Sequence, residues 1–526
     1  MLSVSQFGEG EKVMKARWKQ GVHAAICASA AWLLLGIPSS SAEILIGTPA
    51  RPSVPIQMRM SVEPRAPVTP ASLKPSTTLP PELAEVWQST KLPDEALSLV
   101  VQEIGGPRLL AINADTPRNP ASVMKLITTW AALSELGSDH VWRTGLLAQA
   151  GATPDAKGVL PGPLYVRAGG DPIMQIEDVW TMLRELRLRG IRQIGDVVVD
   201  RSMFGPVAID PSAFDGSGDR AYNASPDAMV VGFGAVRLFF TPDPENKVWH
   251  PVMDPPLPGV TFEGAVQWSD VRCPGPPVVS TKAVPTSQGV SIQLSGKVAG
   301  SCGEFSLYRL VMDQPDLAAG VFRYLWTELG GTFTGKVREG RVPVDAVLLA
   351  QHESPALGDI IRVINKRSNN VMARMLLLAL GAERGPRPAT VASSIEVLQA
   401  VLAGQGLDMP ELRLENGAGL SRVGQVSAAS LVRMLSEAWN SPLMPEYVSS
   451  LSIVGVDGTL KRRLKNDPAQ GMGHLKTGSL RDVRAIAGYV QGISGKQYVV
   501  ASLVNHDRAT AVRAFDDALV SWLSAH

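Results

Sequence analysis

Ser122 and Lys125 place a hydroxyl and an amine at a spacing that suits acyl transfer. They form the one Ser-x-x-Lys string in the chain. Residues three apart on a helix lie on the same face, so the amine falls beside the hydroxyl. A serine becomes a useful nucleophile when an adjacent base takes its proton. A lysine can be that base when burial or nearby positive charge lowers the pKa of its amine. The pair therefore predicts covalent chemistry on Ser122.

A second string, Ser368-Asn369-Asn370, lies on a predicted loop or helix start. Ser368 could relay a proton between a leaving amine and two lysines, and Asn370 could hydrogen-bond Lys125 or a substrate backbone. In the alternative interpretation, Ser368 only caps the following helix.

The third string, Lys476-Thr477-Gly478, lies on a predicted strand. An edge strand can pair with an extended peptide, and Gly478 leaves room for that approach. Lys476 could supply the charge that lowers the pKa of Lys125. The hydroxyls of Thr477 and Ser479 suit a substrate carboxylate. The predicted oxyanion hole consists of the backbone N–H groups of Ser122 and Ser479.

The elements that must position these strings are mostly clear from sequence. Asn119 and Pro120 suit a helix start, and Gly137 suits its end. Predicted late helices cover 356–366, 370–381, 391–405, 427–439 and about 509–523. Predicted late strands cover 474–478, 486–491 and 498–504, which indicates an antiparallel sheet packed between helices.

About 240 residues separate the first two strings, which is far too many for a loop, so this segment must contain its own domains. The predicted organisation is a signal peptide at 1–42, a Pro-rich linker at 43–82, a catalytic domain at 83–148 and 345–526, accessory domain II at 149–235 and 307–344, and accessory domain III at 236–306.

The N-terminus predicts export. A basic region precedes an apolar stretch at 22–37, and Ser40-Ser41-Ala42 suits a signal peptidase. The sequence leaves open whether the segment is cleaved or serves as a membrane anchor. Cys27 lies inside it. In an oxidising periplasm, Cys273 and Cys302 predict a disulfide, with two free thiols as the alternative.

The overall charge is nearly balanced, with 50 Lys and Arg against 49 Asp and Glu. This balance gives no general attraction to nucleic acid. The local run Lys461-Arg462-Arg463 is either a solvated face or a contact surface. No metal site or organic cofactor is predicted.

The chain resembles the class C low-molecular-mass penicillin-binding proteins, the D-alanyl-D-alanine carboxypeptidase/endopeptidase family. The resemblance runs from about residue 83 to the C-terminus and includes Gly169-Gly170-Asp171-Pro172. Further similar segments lie at 222–224, 368–371, 417–422, 455–460 and 488–490. The resemblance implies a mixed α/β (α+β) fold, with a transpeptidase/β-lactamase-like catalytic domain and two nested accessory domains.

The same resemblance implies a periplasmic serine D,D-carboxypeptidase that cleaves D-Ala–D-Ala bonds of peptidoglycan stem peptides. Many relatives also cleave D-Ala–meso-diaminopimelate cross-links, and penicillins would acylate Ser122. Peripheral membrane contact and the oligomeric state stay open. Two alternatives remain, a serine β-lactamase and a non-catalytic muropeptide-binding scaffold. The long insert argues against the first, and the intact Ser122, Lys125 and Lys476 argue against the second. His474 is predicted to be a strand residue, and Asp457 is predicted to fix a turn.

Overall fold

The structure is a computed structural model that describes residues 74–526. The predicted signal peptide at 1–42 and the linker through residue 73 lie outside the described residues. Ser76 pairs with Leu110, and the first described helix begins at Pro81, where the missing N–H of proline leaves no helical hydrogen bond unmade. The predicted domain start at residue 83 therefore falls inside this helix. No helix in the described range combines the length and apolar character needed to cross a membrane.

The helices of residues 74–526 agree closely with the periodic apolar patterns of the sequence. The α-helices are α1 (Pro81–Ser89), α2 (Met124–Leu136), α3 (Ile176–Leu188), α4 (Gln314–Glu328), α5 (Leu357–Arg367), α6 (Asn370–Arg384), α7 (Val391–Gly404), α8 (Ala428–Asn440), α9 (Met444–Ser449) and α10 (Arg513–Ser524).

The strands of the same range fall into five sheets. In chain order they are β1 (Leu97–Glu103), β2 (Arg108–Ile112), β3 (Arg143–Ala148), β4 (Leu164–Arg167), β5 (Gln193–Ile194), β6 (Val197–Asp200), β7 (Val236–Asp243), β8 (Val248–Asp254), β9 (Val260–Gly264), β10 (Gln267–Ser269), β11 (Ser280–Thr286), β12 (Gly289–Ser295), β13 (Lys297–Ala299), β14 (Phe305–Arg309), β15 (Thr332–Phe333), β16 (Val337–Glu339), β17 (Val347–Glu353), β18 (Ser452–Ile453), β19 (Gly473–Ser479), β20 (Val483–Gln491) and β21 (Gln497–Asn505).

A six-stranded antiparallel sheet, in the order β18-β19-β20-β21-β1-β2, carries the third string. Helices α1 and α10 cover one face, where Trp87 packs edge-on against Phe515. Helix α8 contacts the other face, where Trp439 packs against Tyr489. The predicted fold class, with an antiparallel sheet between helices, is confirmed.

A second sheet, in the order β16-β6-β4-β3-β17, includes strands from both sides of the predicted boundary at residue 148. Strand β3 pairs with β17, with Thr144 opposite His352, and β3 also pairs with β4. The predicted boundaries at 148 and 345 had grouped β3 and β17 with the catalytic part. Sequence alternation identifies a strand but not its partner, so the sequence does not show that β3 pairs with β4 across this boundary.

A third sheet, in the order β13-β10-β8-β7-β14, lies deepest in the long insertion, next to a small sheet of β11, β12 and β9. The predicted boundary between residues 306 and 307 cuts β14, which pairs with β7 along its whole length. Cys273 and Cys302 are joined by a disulfide bond. Closing a loop of this size stabilises a fold by about 3 kcal/mol in the chain-entropy account.

Candidate active site

Ser122 lies in a single 3-10 turn, Ala121–Val123, which leads directly into α2. The Asn119 side chain accepts a hydrogen bond from the Ala121 N–H at 2.9 Å, which stabilises the chain where it enters this turn. Ala121 has φ +46°, a left-handed conformation that costs a non-glycine residue energy. The turn leaves Ser122 partly exposed and places Lys125 on the buried face.

Lys125 is completely buried and its amine has three close neighbours. Nζ lies 3.0 Å from Ser122 Oγ, 2.7 Å from Asn370 Oδ1 and 2.6 Å from the Ala418 carbonyl oxygen. Burial, followed by the positive charges of Lys476 and Arg374, holds the pKa of Lys125 well below its usual value. The amine is therefore biased toward its neutral form beside a hydroxyl.

Ser368 ends α5 in a left-handed conformation with φ +55°. The neighbouring Asn369, and not Ser368, caps α6, because its side chain accepts a hydrogen bond from the Met372 N–H at 3.1 Å. The alternative that Ser368 only caps the helix is therefore wrong. Asn370 starts α6, and its amide nitrogen donates to the Tyr222 carbonyl at 3.3 Å.

Lys476 is the second fully buried lysine of the site. Its Nζ donates to Ser368 Oγ and to the Thr477 carbonyl, both at 2.8 Å. Burial lowers the pKa of Lys476 to about 7. Among the described residues, neither Lys125 nor Lys476 has a carboxylate within salt-bridge distance. Two buried ammonium groups without a counterion are costly, which favours a state with only one of them charged.

The strand that carries Lys476 has a free edge beside the nucleophile. In the described structure, β18 pairs only with His474 and Leu475 of β19, which leaves residues 476–479 without a partner on that side. Thr477 Oγ1 donates to Thr459 Oγ1 at 2.9 Å. Ser122, Ser368 and residues 477–479 line one cavity of about 870 Å³. The three strings therefore meet at one cavity.

Gly478 packs against the turn that carries Ser122. A Cβ atom at this position would lie 2.4 Å from the Pro120 carbonyl oxygen. Besides leaving space for a substrate, as the sequence predicts, a glycine at this position lets β19 approach the nucleophile turn.

We expect Gly478→Ala to lower the rate of penicillin acylation by about 100-fold, because displacing a reacting group by about 1 Å has an effect of this order. Stopped-flow acylation measures it. The matched control is Gly404→Ala in α7, where a new Cβ meets no atom within 4 Å. Equal acylation rates in the two variants would show that this packing is not required.

Sequence reasoning missed two contributors to the site. The Ala418 carbonyl has no side-chain signal, and only the fold brings it to Lys125. Arg374 lies one helical turn after Asn370 and is 5% exposed, and its Nη1 donates to the carbonyls of Tyr222 at 3.3 Å and Ala224 at 2.8 Å. The sequence feature that could have identified Arg374 is its position as a single cation within the apolar segment of α6.

His474 and Asp457 have surroundings that fit structural roles. His474 is half-buried on β19, and its Nδ1 lies 3.2 Å from the Val448 carbonyl oxygen. The Asp457 carboxylate accepts hydrogen bonds from the Ile453 N–H at 2.8 Å and from Lys366 Nζ at 2.6 Å. Asp457 thereby holds the turn that precedes Thr459.

Comparison with known proteins agrees with this geometry. The model of the D-Ala-D-Ala carboxypeptidase 3 (S13) family matches residues 79–526. A D-alanyl-D-alanine carboxypeptidase from an Actinomadura species is 30% identical over 446 residues, covering 81% of each chain. The Haemophilus influenzae D-alanyl-D-alanine carboxypeptidase DacB is 26% identical over 423 residues, covering 79% of this chain and 86% of the relative.

The fold is also similar to solved structures. The crystal structure of penicillin binding protein 4 from Haemophilus influenzae matches with a TM-score of 0.69 and 25% identity, over 84% of this chain and 99% of that one. A structure of the same protein complexed with a β-lactam matches with a TM-score of 0.67 and 24% identity, over 85% and 100%. The chain therefore belongs to the D-Ala-D-Ala carboxypeptidase 3 (S13) family, as its motifs predict, and is a serine-type D-Ala-D-Ala carboxypeptidase.

Proposed function

We propose that Ser122 is the nucleophile and that neutral Lys125 is its general base. The observation that carries this proposal is the set of three contacts at Lys125 Nζ. A neutral amine has two N–H groups and one lone pair. The side-chain amide oxygen of Asn370 and the backbone carbonyl oxygen of Ala418 accept hydrogen bonds from the two N–H groups. The lone pair is therefore left for the Ser122 hydroxyl at 3.0 Å. The amine then takes the hydroxyl proton as the serine oxygen attacks the peptide carbonyl.

Lys476 and Ser368 would deliver the proton to the leaving amine. The 2.8 Å hydrogen bond from Lys476 Nζ leaves the Ser368 hydroxyl hydrogen free to point into the cavity. When the amide C–N bond breaks, Ser368 can pass this proton to the amine and regain one from the lysine pair. Water then cleaves the ester on Ser122 and restores the free enzyme.

The strand β19 would hold the substrate. Its free edge at residues 476–479 suits backbone pairing with an extended peptide. The hydroxyls of Thr477 and Ser479 would bind the carboxylate of the leaving residue, with Lys476 as the nearby positive charge. The N–H groups of Ser122 and Ser479 would stabilise the oxyanion.

The substrates would be peptidoglycan stem peptides that end in D-Ala–D-Ala, together with D-Ala–meso-diaminopimelate cross-links. β-Lactams would acylate Ser122, and the similarity to a protein crystallised with a β-lactam supports this. Residues 1–42 would direct the chain to the periplasm. The three larger sheets would mark a catalytic domain and two nested accessory domains, with the boundaries moved so that β3 and β17 belong to domain II and β14 to domain III.

Product analysis tests the proposed activity. The purified protein is incubated with a stem pentapeptide and with a cross-linked dimer, and the products are identified by mass spectrometry. We expect loss of one terminal D-Ala from the pentapeptide and splitting of the dimer into two peptides. An unchanged dimer would contradict the endopeptidase activity. Both substrates unchanged would contradict the proposal as a whole.

The two lysines predict a bell-shaped pH dependence of kcat/KM. The rate should rise with pH as the lysine pair loses its first proton. That proton leaves Lys125, because the charges of Lys476 and Arg374 lower its pKa in addition to burial. The rate should fall as Lys476 loses its proton, near its pKa of about 7 in the free enzyme. Initial rates in constant-ionic-strength buffers measure both limbs. A rate that only rises with pH would mean that Lys476 acts without its charge.

Arg374→Gln should move the acidic limb of that profile to higher pH. The Arg374 charge lowers the pKa of Lys125, so its removal raises this pKa and leaves less neutral amine at a given acidic pH. Arg374→Lys is the matched control, because it keeps the charge and loses the paired hydrogen bonds to the Tyr222 and Ala224 carbonyls. An acidic limb that stays in place in the glutamine variant would assign Arg374 a purely structural role.

A further inference from the structure

The cavity at Ser122 continues beyond the third string into a strongly basic end. Its lining includes both Thr477 and Ser479 and, farther along, a group of cations. The cationic end, as we call this group, consists of Lys461, Arg462, Arg463, Arg484 and Arg513. The whole chain is nearly balanced in charge, so this concentration beside the nucleophile is local.

Part of the cationic end is already occupied by contacts within the protein. Arg463 pairs with Asp517 at 2.7 Å, and Arg484 donates to the carbonyls of Leu480 and Val483, both at 2.7 Å. Lys461, Arg462 and Arg513 differ, because they are exposed and have no carboxylate within 4.0 Å among residues 74–526. These three cations are available to a ligand.

The acidic residue in the cavity wall does little to offset these charges. Asp516 is 3% exposed, and burial raises its pKa to about 7. Near neutral pH a substantial fraction of this carboxyl is therefore protonated and uncharged. The electrostatic potential at this end of the cavity favours anions.

The connectivity places the cationic end next to the leaving residue. Thr477 is hydrogen-bonded to Thr459, and Lys461 follows two residues later in the chain. Arg484 lies opposite Ser479 across β19 and β20. Thr477 and Ser479 are the residues to which the proposed function assigns the carboxylate of the leaving residue. A charge farther along the cavity would therefore meet the part of the leaving group beyond that carboxylate.

We propose that the cationic end binds a second carboxylate on the leaving group, so that the enzyme prefers leaving groups with two or more carboxylates. The inference rests on the proposed function, which fixes the leaving side of the cavity. A peptide ending in D-Ala–D-Ala releases an amino acid with one carboxylate. A D-Ala–meso-diaminopimelate cross-link releases a peptide that carries several. The run at 461–463 would thus favour cross-link cleavage over removal of a terminal D-Ala.

Two synthetic substrates test this preference with the full chain. Both carry the same acyl part, diacetyl-L-lysyl-D-alanine, and they differ in the leaving residue, which is D-glutamate or D-glutamine. The two leaving residues match in size and differ by one carboxylate. We expect a kcat/KM ratio, glutamate over glutamine, of about ten in low salt, decreasing as salt is added. A ratio of one or less would overturn the proposal.

Variants of the cationic end test whether these residues cause the preference for D-glutamate. In Lys461→Gln/Arg462→Gln the ratio should fall several-fold, to about two, because each exposed charge pair contributes up to about fivefold and only Arg513 of the three available cations remains. Lys465→Gln, which removes an exposed cation from the same segment but outside the cavity lining, should keep the wild-type ratio. A double variant with an unchanged ratio, or a loss in Lys465→Gln as large as that in the double variant, would contradict the assignment.

Acylation by benzylpenicillin separates this inference from the proposed function. The amount of penicilloyl-enzyme formed per chain in each variant measures the fraction of intact active sites and normalises kcat. If the wild type is acylated at Ser122 and shows no preference for D-glutamate, only the cationic end has been misassigned. If the wild type is not acylated at all, the proposed function itself fails.

Discussion

Ser122→Ala is expected to abolish labelling by a fluorescent penicillin and to lower D-Ala release by at least about 10⁴-fold, as expected for loss of a nucleophile. Without the hydroxyl no ester can form, although the cavity and both lysines remain. Gel fluorescence and a D-Ala release assay measure the two effects.

The matched control is Ser134→Ala on α2, the helix that follows the Ser122 turn. The Ser134 hydroxyl donates to the Ala131 carbonyl and accepts from Gln405. This control variant should be labelled like the wild type. Labelling of the Ser122→Ala variant at the wild-type level would show that another residue is the nucleophile and would contradict the proposed mechanism.

Lys125→Met is expected to slow acylation by at least about 100-fold, the scale of lost general-base catalysis. Methionine fills a similar volume, so the loss should reflect the amine and not a cavity. The variant leaves the Asn370 and Ala418 oxygens without their donor, so its melting temperature is measured alongside stopped-flow acylation.

The Lys125→Arg variant tests whether residue 125 acts as a general base or only supplies a positive charge. A guanidinium keeps the positive charge but stays protonated, so it cannot accept the Ser122 proton. We expect this variant to be as slow as Lys125→Met. Acylation by the arginine variant at near the wild-type rate would show that position 125 contributes charge only, and the lone-pair argument would be wrong.

Much of this site follows from local sequence. The spacing of Ser122 and Lys125 predicts contact because both lie in one helical segment, and the structure places their side-chain atoms 3.0 Å apart. The late strands also follow from sequence, because β19, β20 and β21 are consecutive and joined by short turns. Adjacent antiparallel strands are the commonest outcome of such a pattern.

The remaining features depend on distant pairings that a single sequence does not specify. The Ala418 carbonyl oxygen accepts a hydrogen bond from Lys125, although the two residues are 293 positions apart in the sequence. The left-handed conformation of Ser368 depends on the junction between α5 and α6. Strand β3 pairs with β17 across the whole insertion and also with β4 inside it, and strand patterns alone do not specify that these three strands share one sheet.

The position of the penicilloyl group on the acylated protein identifies the nucleophile. The wild-type protein is incubated with benzylpenicillin, digested, and examined by tandem mass spectrometry. We expect one penicilloyl group per chain, attached to Ser122, and none after the Ser122→Ala change. A group attached to any other residue, or a wild-type protein that carries none, would contradict the proposed mechanism.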